Sequence, residues 1–397
     1  MKQKILLLVT VVLLSMTSVF AQSGTTGPLT WVFEDGTLTI SGEGEMPDYR
    51  QMDYYGDYAP WNEYREFIYT AIIEPGVTCI GNYAFFFCEN MTSISIPNTV
   101  TSIHDRSFDM CRSLISADIP NSVTYIGGGA FYCCVSLSSV NIPNSVTRIG
   151  DLAFYFCTSL TSITIPNSIT SMGYSVFSFC TGLTSSVISD GITWIADGLF
   201  SYCTSLTSVT IPNSVTSIYD GAFAYCTSLT SISLPASITW FGWGAFYYCV
   251  NLTSITNFNP VPVAIYSDVF YCVPQRITTL KVPTGAISAY KNADNWKNFH
   301  IVGISEEELD IEPHESDIIK IYPNPTAGEL QITNYELRIE NVEIFDVVGK
   351  CVATAAVKTG RTPSLPITLD ISHLPSGVYF VRLQTDKGLI TKKIVKK

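Results

Sequence analysis

The chain has 397 residues, a formal net charge of -12 and 47% hydrophobic residues. That hydrophobic share excludes wholesale disorder, and the length allows two or three domains. The acidic balance, without any basic patch in the central region, excludes nucleic acid as a partner, because phosphates demand clustered Lys and Arg.

Residues 1–21 read as a secretory signal peptide. Lys2 and Lys4 form the charged start, Ile5 to Leu14 the apolar run, and Val19-Phe20-Ala21 the small-residue cleavage site. The run is short for a membrane anchor and no second apolar span follows, so no transmembrane span is expected after its removal. Residues 22–67 read as an N-terminal cap. Trp31-Val32-Phe33 and Asp35 to Ile40 make a turn feeding an alternating strand, and Ala59-Pro60-Trp61 supplies a large aromatic to cover the first coil of the next region.

Residues 68–256 are repetitive. Cys88, Cys111, Cys134, Cys157, Cys180, Cys203, Cys226, Cys249 and Cys272 stand 23 residues apart, the mark of a solenoid in which one supersecondary coil stacks on the next. In the typical unit the cysteine lies three residues after a Phe and three before a Leu, as in Phe154, Cys157 and Leu160, which places all three inward; at the far end the register loosens, with Phe270 two residues before Cys272 instead of three. Leu160-x-x-Ile163-x-Ile165 then alternates as a short half-buried strand. Pro166 has no N–H to donate to a ladder, so it ends the strand and starts the Asn-Ser turn; Pro97, Pro120, Pro143, Pro212 and Pro235 hold the same slot. One coil cannot offset its own ordering entropy, so stability must come from stacking and from caps at both ends.

Export permits disulfides, and stacked coils lie about 4.8 Å apart, within the Cα range of a disulfide. The Cβ vectors of in-register cysteines run parallel, however, and the packing expectation is a column of small buried thiols. Single cysteines at this spacing form no CxxC pair, and no metal is expected.

Residues 257–302 read as a C-terminal cap, with Lys281-Val282-Pro283 as a last strand and Ala286 to Phe299 as an amphipathic helix sealing the solenoid through Ile287, Tyr290, Trp296 and Phe299. Residues 303–319 are an acidic linker. Residues 320–397 carry short strands separated by turns, the pattern of a small antiparallel sandwich.

The sharpest surface feature is the position before each cysteine: Phe87, Phe156, Phe179, Tyr202, Tyr225, Tyr248 and Tyr271, interrupted by Met110 and Cys133. Such a column is either wall packing between coils or a stacked strip for proteins or sugars, and both readings stay open. A Ser/Thr strand face (Ser162 and Thr164, Ser208 and Thr210, Ser254 and Thr256) would expose hydroxyls, but Asp118, Asn141 and Val187 interrupt it. His104, His300, His314 and His373 share no motif. With no HExxH, GxSxG or phosphate loop, neither an enzyme nor a cofactor is expected.

The repeating unit Ala-Phe-x-x-Cys-x-x-Leu-Thr-Ser-Ile-x-Ile-Pro-Asn-Ser-Val resembles the leucine-rich repeats of BspA-like bacterial surface proteins over roughly residues 30 to 302. It departs from the general consensus in the Pro-Asn-Ser turn and, at Ser189-Asp190-Gly191-Ile192, loses even that proline. The tail resembles the C-terminal sorting domain of the Por (type IX) secretion system. The matching features are Tyr322-Pro323-Asn324-Pro325, the Gly349 turn, Leu374-Pro375-Ser376-Gly377-Val378-Tyr379 and the basic end Lys392 to Lys397.

Together the resemblances imply a mainly β chain, a right-handed leucine-rich-repeat solenoid of 23-residue coils followed by a small antiparallel β-sandwich. They place it outside the cell or on its outer surface, after handling by the secretion machinery and loss of the tail, with release or attachment to surface glycolipid as the end point. They imply an adhesin-like scaffold for a host or bacterial surface protein or glycan. The alternative is a structural surface-layer or ice- or glycan-binding repeat that uses the Ser/Thr face.

Overall fold

The computed structural model describes residues 21–50, 57–304, 319–322, 329–334, 339–345, 350–356, 367–385 and 388–396; the apolar run of the signal peptide and most of the acidic linker lie outside them. Two compact units divide the chain, residues 1–304 and 305–397.

The first unit is a mainly β solenoid of about 10 coils spaced ~23 residues. Each coil has three sides. The coil around Cys157 shows why the sequence closes this way: Ala153, Phe154, Cys157, Leu160, Ile163, Ile165, Ile169 and Met172 are all buried. Strand Ser162–Ile165 forms the first side and pairs in parallel with Ser185–Ile188 of the next coil. At the corner Ser168 Oγ donates to Val146 O at 2.6 Å, so the Asn-Ser turn is itself tied to the coil before it. The two-residue strand Ser171–Met172 is the second side and pairs with Arg148–Ile149.

The third side is irregular yet fully laddered. Leu152, Phe154 and Phe156 donate their N–H groups to Tyr174, Val176 and Ser178 of the next coil, each at 2.9 Å. To aim alternate groups this way the backbone turns left-handed at Leu152 (φ 58) and Phe156 (φ 62), and the same two positions recur along the solenoid. Left-handed backbone costs a non-glycine residue roughly 1–2 kcal/mol. The shared hydrogen bonds and ring stacking offset it.

Down the centre run two columns. Phe85, Phe108, Phe131, Phe154, Phe177, Phe200, Phe223, Phe246 and Phe270 stack one upon the next, with ring centroids between 5.0 and 5.9 Å apart. Beside them each thiol from Cys111 to Cys249 donates to the carbonyl of the core Phe one coil earlier, as Cys157 Sγ does to Phe131 O at 3.2 Å. All twelve cysteines are free. Burial pushes the Cys88, Cys180 and Cys249 thiols up to about 12.

The ladder corrects the sequence reading at its last rung. Phe246 stacks on Phe270, so one extra residue enters the period here. Val273, buried, takes the thiol's inward place. Cys272 is exposed and sits left-handed (φ 64), and Tyr271 stacks on Tyr247 at 5.1 Å instead of extending the position before each cysteine.

The first side is not one continuous sheet. Its hydrogen-bonded ladder breaks after strands Ser93–Ser95, Ser139–Asn141 and Ser208–Thr210. The inward residues of those three strands, Ile94, Val140 and Val209, are only partly buried because the next strand has splayed away. Where Gly191 replaces the proline turn, any Cβ would run into the Asn167 backbone, which accounts for glycine there.

Both ends are closed. Hairpin strands Gln22–Thr26, Leu29–Glu34 and Thr37–Gly42 lead into the parallel ladder at Thr70–Ile73, and Trp61 lies 6.1 Å from Phe85. At the other end Trp296 lies 5.5 Å from Phe270. The sequence predicts one helix from Ala286 to Phe299; the structure has an α-helix only over Ile287–Asn292, ended where Ala293 turns extended (ψ 132), and a separate 3-10 turn over Trp296–Asn298 entered through left-handed Asn295 (φ 65). Beyond Thr279–Pro283 a further strand, His300–Ile304, completes the sheet, so Gly303 and Ile304 belong to the solenoid instead of the linker.

The second unit is a sandwich. One antiparallel sheet holds Ile319–Tyr322, Glu329–Asn334 and Ile367–Asp370; the other holds Ile339–Phe345, Cys351–Ala356, Gly377–Thr385 and Gly388–Lys396. Leu330 and Ile332 of one meet Val342, Ile344, Val381, Leu383 and Ile394 of the other in one core.

Candidate functional site

The left-handed residue on the third side points its side chain away from the core, so a repeated aromatic there becomes a surface column. The structure brings the predicted residues together. Phe156 and Phe179 lie 5.8 Å apart, Phe179 and Tyr202 4.3 Å, Tyr202 and Tyr225 4.2 Å, and Tyr225 and Tyr248 4.9 Å; Tyr271, displaced to the neighbouring position, still meets Tyr248 at 6.0 Å. Interplanar angles of 7°, 12° and 20° along the middle three contacts make a face-to-face stack.

A second, shorter column joins it from the neighbouring position. Tyr132 stacks on Tyr155 at 4.9 Å, Tyr155 meets Phe179 at 5.3 Å, and Tyr247 touches Tyr225, Tyr248 and Tyr271. These rings sequence reasoning missed; the signal was the aromatic at the residue after the core Phe in several units. The result is an unbroken ridge of rings from Tyr132 to Tyr271.

The ridge is part wall and part surface. Phe179, Tyr202, Tyr225 and Tyr248 are half-buried, whereas the end members Phe156 and Tyr271 are 36% and 50% exposed. Ring faces are covered by neighbouring rings, and what reaches solvent is a row of edges. Burial, then the hydrogen bond with Tyr225, raises the Tyr202 phenol above its ordinary value. The Cys272 thiol does the same for Tyr248.

Where Met110 and Cys133 interrupt the aromatics, charge takes over. Arg106 reaches Asp109 at 2.7 Å and lies over the Tyr132 ring at 5.4 Å. Asp109 is 2% exposed and its Oδ1 has no hydrogen-bond partner. Burial raises its carboxyl, with Arg106 pulling the other way.

Other residues singled out in the sequence lie apart from the ridge. His104 pairs with Asp48 at 2.9 Å, not with its sequence neighbour Asp105. The Ser/Thr face is cut by the breaks before Ser162–Ile165 and after Ser208–Thr210, so the hydroxyls do not share one flat sheet. A polar groove of about 280 Å³ opens at the first of these breaks, lined by Asn121, Asn144 and Asn167 among others. In the tail Tyr379 is buried and donates to Pro375 O at 2.9 Å, and Gly377 opens a strand. Pro323, Asn324, Pro325 and Gly349 lie outside the described residues. Among the described residues no group of three His, Cys, Asp or Glu is placed to hold a metal ion, and no helix is long and apolar enough to cross a membrane.

Comparison with known proteins agrees with this geometry. The BspA type leucine rich repeat region matches in 6 copies over residues 78–206 and 176–298, and the secretion system C-terminal sorting domain matches residues 320–397. Neither is an enzyme family. No curated protein matches. Among solved structures, a leucine rich cell surface protein from Faecalibacterium prausnitzii is 24% identical, with 73% of this chain and 97% of that one covered and a TM-score of 0.40. A leucine-rich repeat protein from Eubacterium ventriosum is 23% identical over 66% and 78% of the two chains, with a TM-score of 0.39. One from Bacteroides ovatus is 20% identical over 71% and 100%, with a TM-score of 0.31. The repeat match alone spans more than half of the residues, and the chain therefore belongs to the BspA type leucine rich repeat family, as a secreted cell-surface protein with a C-terminal sorting domain.

Proposed function

We propose that the chain is an adhesin-like scaffold that holds a protein ligand along its aromatic ridge, after delivery to the surface through the sorting tail. The observation that carries this reading is the unbroken ring-to-ring contact from Tyr132 to Tyr271. Stacking fixes the rings in place before any ligand arrives, so little side-chain entropy remains to be lost on binding. Closed ring faces leave edges and phenol hydroxyls to make contact, which suits the mixed apolar and polar surface of a protein. Between Arg148 and Arg276 there is no Lys, Arg or His, while Asp151, Asp190, Asp197, Asp220 and Asp268 are present, so a neutral or basic partner fits and an acidic one does not.

The test is capture of the solenoid by immobilised collagen, laminin and elastin. Tyr202→Phe with Tyr225→Phe and Tyr248→Phe keeps the stack and removes three hydroxyls. A bound matrix protein should be lost or weakened by about tenfold in that variant with the thermal transition unmoved. Capture undiminished in this variant and in Phe156→Ser with Tyr271→Ser would refute the ridge as the site.

A further inference from the structure

A second aromatic cluster, on a different side of the coil, has the opposite geometry. The chain has six tryptophans. Trp31, Trp61 and Trp296 are buried in the two caps. The other three lie on neighbouring coils: Trp194, half-buried against the core, and Trp240 stand on the second-side ladder in register with Ser217 between them, and Trp243 follows Trp240 at the next corner. Tyr219 meets Trp240 at 5.0 Å and Tyr266 meets Trp243 at 5.6 Å.

These pairs do not stack. Their planes are tilted by 57° and 56°, and Trp243 and Tyr266 are 63% and 52% exposed, so ring faces stay open to solvent. Trp194 and Trp240 are two strand spacings apart, roughly 9–10 Å, with only the small Ser217 between them. Leaving indole faces in water forgoes a large burial energy, and clusters of this kind mark interaction sites.

The surroundings select the occupant. Asp197 Oδ1 accepts the Asp220 N–H at 3.0 Å and Asp220 Oδ1 accepts the Trp243 N–H at 2.7 Å. These bonds fix two exposed carboxylates through one oxygen each, at the corner that leads to Trp243. No Lys, Arg or His lies between Arg148 and Arg276, so the coils that carry these rings supply no cation of their own for a sulfate, phosphate or carboxylate, and Lys297 of the neighbouring cap is paired with Asp294 at 2.6 Å. Open aromatic faces take the C–H face of a pyranose ring, and carboxylate oxygens accept from its hydroxyls.

We propose that this face, centred on Trp240 and Trp243, is a binding platform for a neutral glycan, separate from the ridge. The rings carry the sugar faces, and Asp197 and Asp220 accept hydroxyls at the rim.

Tryptophan emission of the secreted chain reads the site directly, because the cap tryptophans are already buried. Titration with cellohexaose, maltohexaose and N-acetylated chitohexaose should give a saturable blue shift with at least one of them, and none with heparin. Trp240→Ala with Trp243→Ala should weaken that binding by about tenfold or more, as loss of anchoring aromatics does, at an unchanged melting temperature; Trp243→Phe should retain part of it. The triple Tyr-to-Phe ridge variant should bind the sugar as the parent does. Silence with all three sugars, equal binding of heparin, or sugar binding intact in the double variant each overturns the proposal. So does a matrix protein whose capture, but no sugar's, depends on Trp240 and Trp243.

Discussion

The Sγ of Cys157 lies 3.2 Å from the carbonyl oxygen of Phe131, which also accepts the Cys134 N–H at 3.3 Å. A carbonyl has two lone pairs, and each thiol takes the second one on the coil before it. The buried column is therefore polar in a directed way. A Ser hydroxyl at 157 finds the same acceptor, so Cys157→Ser should cost only about 1 kcal/mol, whereas Cys157→Val adds bulk to a full column and should cost about 1–3 kcal/mol. Urea midpoints of the two variants check the order; a Ser variant less stable than the Val variant would show that the thiol acts as an apolar filler.

Reactivity follows from the same burial. Ten cysteines are buried, and only Cys272 and Cys351 are exposed. A thiol pushed up to about 12, as in Cys180, has almost no thiolate at neutral pH. Iodoacetamide should add to two cysteines in the native chain and to twelve after denaturation without reductant, counted by intact mass. Two or more additions missing from the denatured count would reveal a disulfide and break the ladder account.

Most of the coil was legible in the sequence because its period is strict: Phe154, Cys157 and Leu160 point inward as the spacing requires. What escaped depends on events between coils. Tyr202 is visible as an aromatic before a cysteine, but its left-handed backbone (φ 59) arises from the N–H it donates to Ala224 O, a relation between units. The slip at Cys272 was visible as a Phe two residues away instead of three. Its consequence, that Val273 enters the core and Cys272 leaves it, comes from keeping Phe270 on the ring stack. The Trp240 and Trp243 face escaped because two residues in one unit make no period at all.

The end of the ring stack should be a point of weakness. Trp61 covers Phe85 and donates its Nε1–H to Ala84 O at 2.7 Å. Trp61→Ala removes a fully buried ring and should cost about 3–5 kcal/mol. In a repeat array that loss falls on the nearest coils first. Hydrogen exchange should show protection lost around Phe85 and Phe108 while the amides near Phe246 keep theirs. Uniform loss along the solenoid would mean that the array unfolds as one unit.

Two aspartates should give opposite pH signatures. Burial alone would raise Asp48, but the Asn82 N–H and His104 outweigh it and hold the carboxyl below 3.8. Its contribution is present above 3.8 and is lost as pH falls through the lower native value. Asp109 is raised above 3.8, so its native state favours the proton. The contribution of Asp109 is therefore greatest below 3.8 and declines as pH rises through the raised native value. Chemical melts from neutral to acid pH should show the parent losing ground to Asp48→Asn and gaining on Asp109→Ser. The same slope in both variants would contradict the assignment.

The last expectation is a gain. Ser186 faces inward on strand Ser185–Ile188, in register between Ile163 and Val209, and is 3% exposed with no partner for its Oγ. A buried hydroxyl without a hydrogen bond costs on the order of 1–3 kcal/mol, and its neighbours in the column show that the position accepts a branched apolar side chain. Ser186→Val should raise stability by about 1–2 kcal/mol, part from relieving the hydroxyl and part from filling space. Ser186→Ala isolates the first part and should stabilise by less. Midpoints of chemical unfolding for the three chains decide between outcomes: if both variants fall below the parent, the hydroxyl has a hydrogen-bond partner in solution, and the apolar column tolerates Ser186 for that reason.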